Sequence, residues 1–266
     1  MNPPQIQDDD ALRRQLLAHL RHLRSAGVEW LPPGAPLEVA APPPTDDTPS
    51  AQQASAFEIA PEEVASAADA LTLDERRSAL QTLAAEVSKC TRCTELCSTR
   101  TQTVFADGGP GVELCFVGEA PGADEDAQGL PFVGAAGQLL NRIIIASGFT
   151  REEVYVCNIL KCRPPGNRTP LADEAANCRG YLERQLELVN PKFIVALGGC
   201  AATNLLQTTQ SIGKLRGRFH DYKGIPVMVT YHPAFLLPHR SPHMKGEVWN
   251  DMKMLLAKMG RPVPQK

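Results

Sequence analysis

The eight cysteines of this chain have a spacing that could do chemistry. Cys90 and Cys93 form a C-x2-C pair, and Cys162 and Cys178 form a second pair with fifteen residues between them. Thiolates spaced in this way can converge on one soft centre, and four-sulphur coordination suits either a cubane iron–sulfur cluster or tetrahedral zinc. Cys97 competes for the same turn as Cys93 and ranks below the other four. Cys115 and Cys157 fall inside strand-like runs, where a thiol acts as a small hydrophobe. Cys200 opens a helical stretch after Gly198 and Gly199, where packing is the simpler role than activation by the helix terminus.

Other reactive groups cluster just after apolar runs. The first run is followed by GEAPGADED (118–126), a glycine-rich acidic turn, and then by GLPFVG (129–134), which holds Phe132 in a loop rather than a core element. Glycines let a backbone approach a ligand closely, and an aromatic ring in such a loop can stack on a base. The second run ends at Asn158, four residues before Cys162. Its amide offers a donor and an acceptor, the pair that reads a pyrimidine edge. The last run ends in TYHPAFLL (230–237), with His232 at the strand's end. Singly each signal is weak, since a lone Asn or His at a strand end is more often a structural hydrogen-bonder.

The elements that must hold these groups follow from the hydrophobic period. From residue 73 a helix with Asp74 as its cap, running through Arg77, Leu80, Leu83 and Val87, delivers the chain to Cys90. Beyond it, short apolar runs alternate with helical patterns: 114–117 then 135–147, 154–159 then 171–188, 193–197 then 200–206, and 227–230 then 245–259. Four such units predict an α/β domain over 73–260 with a mainly parallel, twisted, four-stranded sheet and helices on both faces. Ligands then belong at the C-terminal ends of the strands, where Gly118, Asn158 and His232 fall.

Upstream the texture differs. Residues 11–25 place Leu12, Leu16, Leu17, Leu20 and Leu23 at helical spacing, so residues 1–30 read as a short amphipathic helix that could dock a protein partner. Residues 31–72 are rich in proline and acids and read as a largely disordered linker. With 266 residues and 43% hydrophobic composition, one core plus this appendage is the expected organisation. No run approaches the roughly 20 apolar residues of a membrane span. The start of the chain is polar and acidic rather than signal-like, so a cytoplasmic protein with reduced thiols is expected; a monomer is the expected state. Residues 1–89 carry 7 basic against 14 acidic side chains and residues 90–266 carry 20 against 16. The net −7 and +4 permit a basic face only in the second part.

Together and in this order, the cysteine spacing, GEAPGADED, GLPFVGAAGQLL, NILKCRPPGNRTP and TYHPAFLL resemble the family-four uracil-DNA glycosylases over about residues 85–259. The resemblance implies a [4Fe–4S] cluster on Cys90, Cys93, Cys162 and Cys178 in a structural role, which favours iron–sulfur over zinc. It implies uracil-containing DNA, single- or double-stranded, as substrate. A uracil flipped out of the stack would lie on Phe132 with Asn158 on its N3–O4 edge, and Gly118, Glu119 and Ala120 would line the pocket. Glu125 would block the thymine methyl. His232 would stabilise charge growing on the uracil O2, and Glu119 is the nearest acid to orient water, because Ala120 stands where another branch has aspartate. Phe235, Leu236 and Leu237 could wedge into the vacated stack, with Leu236 and Leu237 the nominated pair. The family's basic residue after the two leucines is replaced by Pro238 and His239, which shifts phosphate contact to Arg240. Three rivals remain: a relative that traps uracil-DNA, a non-catalytic metal-stabilised DNA-binding or replication-associated module, and an electron carrier. The first carries a basic, histidine-containing insertion near the second cysteine pair, and RPPGNRTPLADE (163–174) has none.

Overall fold

The computed structural model describes residues 71–265, so the N-terminal helix and nearly all of the linker expected above lie outside the described residues. Five strands form one sheet in the order β2-β1-β3-β5-β4. They are β1 (Leu114–Gly118), β2 (Val154–Asn158), β3 (Phe193–Leu197), β4 (Phe219–Tyr222) and β5 (Ile225–Thr230). The first four strands of that order run parallel, as the alternation of elements predicts. The expected four strands become five because β4 adds an antiparallel edge to β5. Lys223 and Gly224 join the two strands with φ of 51° and 85°, the doubly left-handed geometry of a two-residue hairpin turn.

Both faces of the sheet are buried, which explains why the strands read as unbroken apolar runs. Side chains of one parity, including Cys115, Val117, Tyr155, Cys157, Ile194 and Ala196, pack under α1 (Leu73–Ser88), α5 (Ala172–Val189) and α6 (Gly199–Leu206). The other parity, including Leu114, Phe116, Val156 and Val195, packs under α4 (Ala135–Ala146) and α8 (Lys245–Lys258). The short helices α2 (Thr94–Thr99), α3 (Ala123–Gln128) and α7 (Ile212–Leu215) fill the connections. Thr72, not Asp74, caps α1: its hydroxyl accepts from the Glu75 N–H while the Glu75 carboxylate accepts from the Thr72 N–H at 2.8 Å. Asp74 lies within the first turn and favours the positive end of the helix dipole. Among the described residues no helix is long and apolar enough to cross a membrane.

Candidate active site

A cavity of about 490 Å³ opens at the C-terminal ends of the strands, and Glu119, Ala120, Glu125, Phe132, Asn158 and His232 all line it. The strand order reverses direction at β1, and such a switch point opens a crevice for a ligand. Six of the seven pocket residues nominated from sequence therefore share one surface. Gly118, the seventh, supports that surface from behind. A Cβ at Gly118 would collide with the Asn158 Oδ1 and stand 2.5 Å from the Phe132 ring, so only glycine lets the ring and the amide meet there. Gly118→Ala is expected to lower stability by about 1–3 kcal/mol through this overlap, read as a reduced denaturant midpoint.

Phe132 is buried with φ of 57°, a left-handed backbone that a bulky residue adopts only when its surroundings enforce it. Glu125 does the enforcing. Its Oε1 accepts from the Val133 and Gly134 N–H groups at 2.9 Å each, and its Oε2 accepts from the Gly122 N–H at 3.0 Å. One carboxylate thus clamps the first turn to the Phe132 loop. Three bonds of this charge-assisted kind fix the side chain as well as the loops it joins. The acidic turn read from the sequence includes helix α3, which is what aims Glu125 at these amides.

Asn158 ends β2 at 2% exposure, and its Oδ1 is buried with no hydrogen-bond partner. An orphaned buried acceptor costs about 1–3 kcal/mol unless a ligand donor completes it. Behind it lies Lys161, a buried lysine that sequence reasoning missed, whose Nζ donates to the Asn158 carbonyl at 2.7 Å. A lysine in a loop ordinarily signals solvent, and only its place beside Cys162 hinted otherwise.

His232 follows β5 and packs against Phe132, with ring centroids 5.7 Å apart. Its Nδ1 accepts the Ala234 N–H at 3.1 Å, which leaves the ring proton on Nε2. Burial, reinforced by the positive charge of Arg240, pushes the His232 pKa down to about 4. The ring is therefore a neutral donor at physiological pH. Glu119, half-buried, has its pKa raised by burial, with a hydrogen bond from Thr169 pulling the other way. Cys200 stands near it; burial and that carboxylate push the thiol up to about 12, which fits packing rather than activation at the helix terminus.

Of the wedge nominated from sequence, Leu236 needs correction. Leu236 is 1% exposed and packs into the core under α4 and α8, and Leu237 is half-buried against the same cluster. An anchored core side chain cannot enter a base stack without unpacking its own fold. The apolar group of this loop that does face outward is Phe235, 36% exposed, on the cavity lining and stacked near Tyr231. Arg240 lines the cavity as well and is exposed.

The four cysteines come together from three places. Cys90 follows the end of α1, Cys93 caps α2, Cys162 lies in the loop after β2 and Cys178 on α5. They are near enough to act on one another electrostatically: Cys93 and Cys162 each feel Cys90, and Cys178 feels both Cys90 and Cys93. Burial pushes the Cys162 thiol up to about 11, with Arg100 opposing it. Cys97 bonds instead to the Cys90 carbonyl at 3.7 Å. Among the described residues no group of three or more His, Cys, Asp or Glu side chains is arranged to hold a metal ion. The four thiols are a sulphur-only donor set, the type that both iron–sulfur clusters and structural zinc use. Arg168, also missed from sequence, ties this region together through Glu95 at 2.7 Å and both oxygens of Glu174.

The model of the uracil DNA glycosylase superfamily matches residues 105–253. Curated relatives extend the match. The type-4 uracil-DNA glycosylase of Thermotoga maritima is 42% identical over 180 residues, covering 67% of this chain and 93% of that protein. That of Archaeoglobus fulgidus is 39% identical over 193 residues, 70% of this chain and 96% of the relative. That of Saccharolobus solfataricus is 43% identical over 167 residues, 59% of this chain and 77% of the relative. The matched region contains β1 to β5 and every residue lining the cavity. The chain belongs to the uracil-DNA glycosylase superfamily and, within it, to the type-4 group.

Proposed function

We propose that this chain excises uracil from DNA, hydrolysing the N-glycosidic bond to leave an abasic site and free uracil. The observation that carries the reading is the unpartnered Asn158 Oδ1, buried beside the Phe132 ring in a cavity that a neutral His232 also lines. Uracil supplies what this acceptor lacks, an N3–H, and its O4 suits the other half of the amide. Cytosine reverses both groups and leaves two buried mismatches, the kind of penalty that gives polar sites their selectivity. Thymine presents an extra methyl. Glu125, immobilised by three backbone N–H bonds, cannot move aside for it, which supports its role as the wall.

Bond cleavage places negative charge on the departing uracil and positive charge on the sugar. The His232 Nε2–H donates to O2 as that charge grows, and a neutral donor can do so without giving up its proton. Glu119 orients the attacking water as a carboxylate. Since burial raises its pKa, the rate should climb with pH through that value and level off above it. In Glu119→Gln the acid limb of the kcat/KM profile is expected to vanish; an unchanged limb assigns it elsewhere. His232 adds no limb near 6.5, because its ring is already neutral there.

Cys90, Cys93, Cys162 and Cys178 would hold a [4Fe–4S] cluster, which when bound would supply a rigid cross-link between α1, α5 and the loop after β2 that carries Lys161. The sulphur-only donor set supports this group, and zinc is the competing occupant. Two assays test the whole reading. Anaerobically purified protein should contain about four iron and four sulfide per chain, and zinc in their place removes the cluster. Oligonucleotides carrying one uracil should acquire an alkali-labile site that matched thymine and cytosine controls lack. Equal cleavage of all three, or of none, rules out the specificity argued here.

A further inference from the structure

We propose that Arg100 is the positioning residue of the cysteine cluster, a fixed cation that binds the two cysteine pairs together and couples them to the uracil pocket. The proposal rests on the cluster reading above. Arg100 directly follows α2, and its guanidinium reaches three partners, two beside the end of α1 and one in the loop after β2. Its Nη1 donates to the Cys162 Sγ at 3.0 Å, and its Nη2 donates to the Cys90 carbonyl at 2.9 Å and the Ser88 carbonyl at 3.3 Å. One planar fork therefore spans the end of α1, the first cysteine pair and the second.

One other side chain bonds to these sulphurs among the described residues, the Asn177 amide to Cys93 at 3.7 Å. Among the described residues Arg100 alone brings a full positive charge to such a bond. The Lys161 ammonium lies near enough to act on Cys178, but it is committed to the Asn158 carbonyl. A cluster held by four thiolates carries net negative charge, so a cation hydrogen-bonded to a ligand sulphur stabilises the centre and favours its more reduced state. Lysine could supply the charge but not the three-way fork.

The connection continues to the pocket. The Thr101 N–H bonds to both Asp126 oxygens at 3.0 Å, and Asp126 is buried on α3, next to Glu125. Glu125 in turn clamps the Phe132 loop. The cysteine region thus reaches Phe132 through Arg100 and Asp126, and reaches Asn158 through Lys161.

The test uses the full chain, purified anaerobically as wild type, Arg100→Gln and Arg100→Lys, with folding checked by far-ultraviolet circular dichroism. Iron and sulfide content, the rate at which visible cluster absorbance fades under an iron chelator, and the midpoint potential are measured on each. Arg100→Gln should lose its cluster about 10-fold faster or more, with a potential displaced to lower values. Arg100→Lys should hold the potential near wild type yet still lose the cluster faster, because the bridge is gone. Variants matching wild type in both lifetime and potential overturn the proposal while leaving the cluster reading intact. If Arg100→Gln does not fold, a wild-type lifetime in Arg100→Lys overturns it. A wild type without iron overturns both.

Discussion

Replacing His232 with alanine is expected to lower kcat by about 10²–10³ with little change in KM, the loss seen when one preorganised donor to a developing oxyanion is removed. The split between the constants follows from when the interaction matters. The uracil O2 is a weak acceptor in the ground state and a strong one as the glycosidic bond stretches, so the Nε2–H contributes mostly at the transition state. The ring is preset for this: Nδ1 is occupied by the Ala234 N–H, and burial keeps the ring neutral down to about pH 4. Steady-state kinetics on a single-uracil oligonucleotide check it. A fall in affinity with kcat unchanged would instead make His232 a binding residue.

Asn158→Ala is the second large effect. It removes both partners of the N3–O4 edge, and two buried hydrogen bonds at about 1.5 kcal/mol each amount to roughly a 100-fold loss in kcat/KM. More diagnostic is selectivity. Wild type should reject cytosine because the amide mismatches it twice, and in the alanine variant that penalty disappears with the amide. Uracil and cytosine rates should therefore approach each other, mainly by loss of the uracil rate. A variant that keeps strong preference for uracil over cytosine places the discrimination elsewhere in the pocket. Since Asn158 is buried, thermal melting of the variant must show that the fold survives.

Much of the site was legible because the fold puts chemistry at strand ends. Runs buried on both faces show their limits in sequence, and Gly118, Asn158 and His232 stand at or just beyond those limits. Strand β4 was missed because Phe219–Tyr222 is short, half polar and at the sheet edge, and its turn uses Lys223 where a stronger signal would be asparagine. Leu236 misled because an apolar residue in a loop reads the same whether it faces DNA or plugs the core; only the packing of α4 and α8 decides. Glu125 was legible as a pocket acid but not as a clamp, since its three amide partners emerge only when α3 turns toward the Phe132 loop. Arg100 and Lys161 escaped for a related reason. Their partners are a sulphur and carbonyl groups that the fold brings near them, and nothing local in the sequence marks a cation for burial.

The most direct measurement is the number of uracil molecules released per protein molecule from an excess of uracil-containing DNA, with His232→Ala beside wild type. Release of many equivalents by wild type, sharply reduced in the variant, is the expected result. Release that stops at one equivalent with protein left on the DNA, or no release from protein with intact cysteine centre and retained DNA binding, contradicts hydrolytic excision.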